Sequence, residues 1–380
     1  TPCGTLFPYT TLFRSRRPCI FTISTRDEDQ RLREIFRVRI DPAHHTVRRE
    51  PVADDLIVVS AHEGGDPHES VDVAILGEGY TRADVGEFVR DVERFAGVLL
   101  AQEPYRSLAD RFNVRGVLAV SQDRGCDEPT RGRFARTPFG CTFNSLGSER
   151  YLLTEDNRAL RDAAAAVPYD ALYVMVNTDR YGGGGIYNAF CTFTSDNQWS
   201  DYVFLHEFGH HFAGLADEYY TSQIAYSEFY PRDREPLEPN ITRLADPGRL
   251  KWGDLVEPGI TVPTPWEKAG YDALDVAYQE RRAALNEQIG ALMRADGEPD
   301  EVARLKEEVE ALSRTHQAEA DRYLAASRFA GQVGAYEGAG YCSEGMYRAE
   351  LDCIMFSKGR KPFCAACDRH LRRVIARHGE

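Results

Sequence analysis

The segment His206-Glu-Phe-Gly-His-His-Phe-Ala-Gly-Leu-Ala-Asp217 restricts the fold more than any other part of the chain. His206 and His210 stand four residues apart, and in a helix four residues turn about 400°, so both imidazoles leave one face, a turn apart. Two nitrogens so placed suit one tetrahedral zinc. Glu207 lies beside the first of them, where its carboxylate can reach a water at the metal instead of the metal itself. Gly214 can take a left-handed conformation, stop the helix and turn the chain back, so that Asp217 offers a third ligand. The preceding Trp199-Ser-Asp-Tyr-Val-Phe-Leu205 supplies Ser200 or Asp201 as N-cap and then a mostly apolar run, which predicts a buried helix. Ionisable groups in a helix that apolar are costly without a use for them. The segment points to a zinc hydrolase with one catalytic Zn2+.

The chain has 60 acidic and 46 basic side chains, a formal net charge of −14. Nucleic acids and anionic membrane surfaces both require a basic footprint, so neither is an expected partner. Hydrophobic content of 42% supports a sizeable core, and no apolar run approaches the ~20 residues that span a bilayer. Thr5-Leu-Phe-Pro-Tyr-Thr-Thr-Leu-Phe-Arg-Ser15 looks like the translation of a sequencing adapter, so residues 1–15 are set aside and the native start is expected to be missing.

Nine cysteines carry a second set of expectations. Cys126 and Cys141 bracket a loop rich in Gly, Pro and Arg, a spacing that suits a disulfide staple. Cys342, Cys353, Cys364 and Cys367 follow the spacing Cys-x10-Cys-x10-Cys-x2-Cys. Two readings compete for them: disulfides in an oxidising compartment, or a structural four-Cys zinc site. Only one pair is close in sequence, so disulfides are expected, and with them a secreted, cell-surface or periplasmic location.

Ile20–Ser24 and Phe36–Ile40 alternate apolar and polar residues, which marks strands. Residues 16–55 are expected to be the remnant of an N-terminal β-rich domain, followed by a catalytic domain over 56–380. From Val71 the texture becomes α/β: a strand at Val71–Leu76, a helix started by Thr81, a strand at Phe112–Val120, a helix around Arg158–Ala166 and a strand at Ala171–Val176. This rhythm predicts a mixed, mostly parallel sheet under helices. Gly77-Glu-Gly79 lacks the third glycine of a nucleotide fingerprint. Gly183, Gly184 and Gly185 lie in Tyr181–Asn188, predicted to be an edge strand whose low bulk lets an extended substrate pair by backbone hydrogen bonds. Residues 271–326 carry two apolar stripes, Leu274, Tyr278, Leu285, Ile289 and Leu292, then Val302, Leu305, Val309 and Leu312. Broken by Ala295–Asp300, they predict an inserted antiparallel helical hairpin.

With these residues in view, the chain resembles the IgA-peptidase family of bacterial zinc metallopeptidases. The resemblance rests on His206–Tyr219, Thr178–Asn188, Pro263–Glu267, Gly338–Tyr341, and Cys353-Ile-Met355 followed by Phe363-Cys-Ala-Ala-Cys367. It runs from about Val71 to the C-terminus. The family is similar to the metzincins, which implies a metzincin-like catalytic domain with His206, His210 and Asp217 as ligands, Glu207 as base and Met355 as the Met-turn residue beneath the metal. Metzincins place the glycine three residues and the last ligand six residues after the second histidine. Here Gly214 follows by four and Asp217 by seven, so Glu218 remains a rival third ligand, with Asp217 preferred. The expected activity is zinc-dependent hydrolysis of peptide bonds in a protein or peptide substrate, with Tyr219, Tyr347 or Arg348 assisting the oxyanion. A non-peptidase zinc amidohydrolase and an inactive surface-binding module are the alternatives; the second would be expected to lose Glu207.

Overall fold

The structure is a computed structural model that describes residues 17–27, 29, 31–45, 55–221, 229–295 and 297–378. The adapter-like leader, 1–15, lies outside them. β1 (Cys19–Arg26) and β2 (Leu32–Ile40) form a two-stranded antiparallel ribbon of their own. Most of its apolar residues, among them Ile20, Leu32 and Ile35, are exposed.

The rest is built on a six-stranded sheet in the order β3 (Ile57–Glu63), β5 (Phe112–Leu118), β4 (Val71–Glu78), β6 (Ala171–Val176), β8 (Phe190–Thr194), β7 (Gly183–Ile186). The four inner strands run parallel, and β3 and β7 close the two edges antiparallel. Inner strands flanked by helices on both faces read as continuous apolar runs, and β4 and β6 are buried at every position. Alternate residues serve opposite cores. Val73, Ile75, Tyr173 and Met175 face α1 (Val85–Ala101), α3 (Ser200–Ala213) and α6 (Ala365–Arg377). Ala74, Leu76, Leu172 and Val174 face α2 (Asn157–Ala164) and the loop before it.

Several local expectations change. Thr81 and Asp84 form a capping box on a short 3-10 turn, and α1 begins only at Val85. Ser200 is already helical in α3, and the N-cap is Trp199. β8 is an additional strand that separates β6 from the glycine strand, so β7 is the sheet edge. A small sheet of β9 (Ile241–Thr242), β11 (Cys342–Arg348) and β10 (Tyr336–Ala339) lies outside the main one.

The expected Cys126–Cys141 disulfide is absent: both are buried free thiols. The loop between them is held by a buried carboxylate instead. Glu78, at the end of β4, accepts from Thr137 Oγ1 at 2.6 Å, Cys141 N at 2.9 Å and Phe139 N at 3.1 Å. Glu128 in the same loop pairs with Arg180 at 3.0 Å and Arg131 at 3.1 Å. With all eight described cysteines free, the extracytoplasmic location loses its cysteine argument.

The hairpin consists of α4 (Lys268–Arg294) and α5 (Pro299–Ala325), joined through Leu285, Ile289 and Leu305. None of the helices among the described residues is long and apolar enough to cross a membrane.

Candidate active site

α3 brings the first three site residues onto the cleft. It ends where Gly214 turns left-handed at φ 61°, with Gly214 N bonded to His210 O and Leu215 N to Gly209 O. A side chain disfavours that backbone, so glycine makes the reversal possible. The reversal brings the Leu215 carbonyl to His210 Nδ1 at 2.6 Å, while the Ile354 carbonyl meets His206 Nδ1 at 2.9 Å. Carbonyls only accept, so each ring carries its proton on Nδ1 and turns the Nε2 lone pair toward the cleft.

Asp217 completes the group. Its Oδ1 is 3.0 Å from His206 Nε2 and 3.2 Å from His210 Nε2, and the two Nε2 atoms are 3.1 Å apart. A tetrahedral zinc with ligand bonds of about 2.0 Å sets neighbouring donors about 3.3 Å apart, so the three atoms fit such an ion. The electrostatics agree. Burial lowers the His210 pKa, but the Asp217 charge and hydrogen bond outweigh it and raise it to about 9, so the cluster draws in positive charge, as a proton or a metal cation. Glu207 keeps some exposure at the same cleft. Burial pushes its carboxyl up, against the opposing pull of His206 and His210.

Glu218, the rival ligand, points elsewhere. Along an extended chain successive side chains alternate, and the Glu218 carboxylate sits among Cys353, Cys364 and Cys367, away from the histidines. Met355 lies beneath α3, so close that a Cβ on Gly209 would come within 2.8 Å of its sulfur. The Met355 carbonyl accepts from Glu218 N at 2.8 Å, which docks this turn against the segment that carries Asp217.

The sequence model of IgA Peptidase M64 matches residues 59–375, most of the chain. The chain belongs to the IgA Peptidase M64 family. It is therefore a metalloendopeptidase. No curated protein matches it closely enough to add a relative.

In this M64 peptidase the glycine strand forms one wall of a cleft of about 810 Å³. Its glycines make room for α3. A Cβ at Gly185 would lie 2.8 Å from both the Glu207 carbonyl and His210 Cβ, and one at Gly183 would lie 2.6 Å from a Val203 methyl. Gly184 is crowded from the other side, with Leu153 Cδ2 2.8 Å from such an atom. The outer edge of β7 is partly used: Gly183 bonds Arg150 O and Leu152 N. Strand alternation puts the Gly185 N–H and carbonyl on that same outer edge. Gly185→Ala is expected to destabilise the fold by about 1–3 kcal/mol through overpacking, read as a lower thermal midpoint; an unchanged midpoint would show that the wall has slack.

The hairpin also lines the cleft, through Tyr271, Asp275, Tyr278, Arg282, His316 and Gln317. Asp275 pairs with His316 at 2.8 Å, Tyr278 stacks on His316, and Thr221 donates to Asp275. Charge and stripe patterns indicated two helices but not what they face.

Two contributors were not singled out from sequence. Tyr341 donates its hydroxyl to Asp217 Oδ2, and Arg150 Nη2 donates to the Tyr219 hydroxyl at 2.9 Å. Neither belongs to a spacing pattern, though Tyr341 ends the Gly338–Tyr341 motif. Of the three expected oxyanion helpers only Tyr219 lines the cleft. Arg348 is fully buried, its guanidinium spent on the Gly338 and Leu351 carbonyls and the Phe356 ring. Tyr347 is in the small sheet and does not line the cleft. Tyr341→Phe is expected to weaken metal binding or activity by about 10–100-fold, as loss of a partner that orients a ligand does. Chelator competition and steady-state rates check this, and unchanged values in both would remove Tyr341 from the site.

Proposed function

We propose that this M64 peptidase is a zinc enzyme of metzincin-like design, in which His206, His210 and Asp217 hold the ion and Glu207 is the general base. The observation that carries the reading is the meeting of three donor atoms within 3.2 Å, beside a glutamate and a strand edge in one cleft. When bound, zinc supplies Lewis acidity, lowering the pKa of water toward about 7 and polarising a carbonyl. Glu207 takes the proton of the attacking water on a carboxylate oxygen and delivers it to the leaving amine nitrogen. Met355 provides an apolar floor that keeps α3 at a fixed height, and Tyr341 holds Asp217 in orientation. The substrate lies extended, pairing with the Gly185 side of β7. Arg150 and Tyr219 place a cationic guanidinium and a phenol where they can stabilise the developing oxyanion.

The family's description supports immunoglobulin A as the first substrate to test, and such a substrate fits a secreted, cell-surface or periplasmic enzyme. Metal-loaded protein is incubated with IgA and with a panel of unfolded proteins, with and without chelator, and the new N-termini are sequenced. The proposal expects internal cleavages that chelator abolishes. No cleavage of any protein, with chelator-sensitive hydrolysis of small amides, would replace it with the amidohydrolase reading.

A further inference from the structure

We propose that Glu218, Cys353, Cys364 and Cys367 hold a second, structural zinc ion beneath the active site. All four are buried, Glu218 and Cys367 completely, and their ligand atoms lie within 4.8 Å of one another. Cys353 Sγ is 4.0 Å from Cys367 Sγ, and the Glu218 Oε1 atom is 3.3 Å from Cys367 Sγ and 3.7 Å from Cys364 Sγ. A disulfide needs sulfurs about 2.05 Å apart. Zinc–thiolate bonds of about 2.3 Å place tetrahedral sulfurs about 3.8 Å apart and a carboxylate oxygen about 3.5 Å from each. The cluster has the second spacing. It also corrects both earlier readings of the last four cysteines: Cys342 is not in the group, and a glutamate from a distant turn takes the fourth place.

Independent signs point to a cation. Glu218 Oε2 is buried with no hydrogen-bond partner, an arrangement that is costly for a carboxylate unless a ligand takes it up. Cys353 Sγ accepts from two backbone amides, Cys364 N at 3.2 Å and Met355 N at 3.4 Å, as a thiolate does. Asn240 aims Glu218, donating to Oε1 at 3.0 Å and to the Ala216 carbonyl at 2.9 Å. Three thiolates select zinc over magnesium or calcium, and loading releases the ligands' protons to solvent.

The position explains its use. Glu218 directly follows Asp217. Cys353 directly precedes Ile354, whose carbonyl orients His206, and Met355. Cys364 is the N-cap residue of α6, and Cys367 lies in its first turn. One ion would therefore tie together three segments that place the catalytic ligands.

The test uses full-length protein from zinc-supplemented cells, purified without chelator, as wild type, His206→Ala/His210→Ala, and Cys364→Ser/Cys367→Ser. Elemental analysis and zinc-edge X-ray absorption are read on each. The expectation is two zinc per wild-type chain, and one in the double-histidine variant with sulfur neighbours at about 2.3 Å. The cysteine variant should lose the sulfur shell; should it fail to fold, the double-histidine variant still decides. A double-histidine variant without zinc, or with zinc lacking sulfur neighbours, overturns the proposal, as does a disulfide among these cysteines in peptide mapping. One sulfur-ligated zinc in both wild type and the histidine variant would support this site and contradict the catalytic one.

Discussion

Glu207→Gln keeps its metal and loses about 10²–10⁴-fold in kcat, the usual cost of removing a general base. The amide has the size of the carboxylate and fits the same space between α3 and β7, where Glu207 Oε2 would lie 3.0 Å from a Cβ on Gly185. What it lacks is the ability to accept a proton from water. Glu207 belongs to none of the three candidate metal-ligand groups among the described residues, so zinc content should match the wild type. Elemental analysis beside steady-state kinetics reads both halves. A variant with near-normal kcat would remove Glu207 as base, and one that loses zinc would make it a ligand.

Asp217→Ala should bring activity to background and weaken catalytic zinc by more than about 100-fold, since even residues that only orient a ligand cost about 10–100-fold when removed. The carboxylate is the only anion among the three donors, with Oδ1 shared between two imidazole nitrogens at 3.0 and 3.2 Å. Its removal leaves two neutral rings and frees the Tyr341 hydroxyl. Chelator titration of this variant beside Glu218→Ala separates the neighbours. If Asp217→Ala holds catalytic zinc at wild-type strength and Glu218→Ala does not, the longer turn after α3 has exchanged their roles.

The helical part of the site was legible because a four-residue step has one geometric meaning: a helix places His206 and His210 on one face wherever it is packed. Beyond Gly214 that certainty ends. Asp217 and Glu218 are adjacent carboxylates on extended chain, and only the docking of Met355 O on Glu218 N and of Gly340 N on Asp217 O decides which faces the histidines. The cysteines misled for a related reason. Sequence proximity grouped Cys342 with the other three, whereas the fold supplies Glu218 across more than a hundred residues. The Cys126–Cys141 loop looked like a staple because a buried Glu78 that accepts three hydrogen bonds has no sequence signature. The parallel core was readable from the alternation of strands and helices after Val71, with β4 and β6 rich in apolar residues. β3 and β8 were missed: β3 is a half-exposed edge strand, and β8 spans only five residues.

The most direct test of the account is anomalous diffraction at the zinc edge from crystals of metal-loaded protein. The expected result is a peak bonded to His206 Nε2, His210 Nε2 and Asp217 Oδ1 at about 2.0–2.2 Å, with the Glu207 carboxylate nearby and unbonded. A zinc-loaded crystal with no peak between those three atoms, or with Glu207 or Glu218 as its carboxylate ligand, would contradict it.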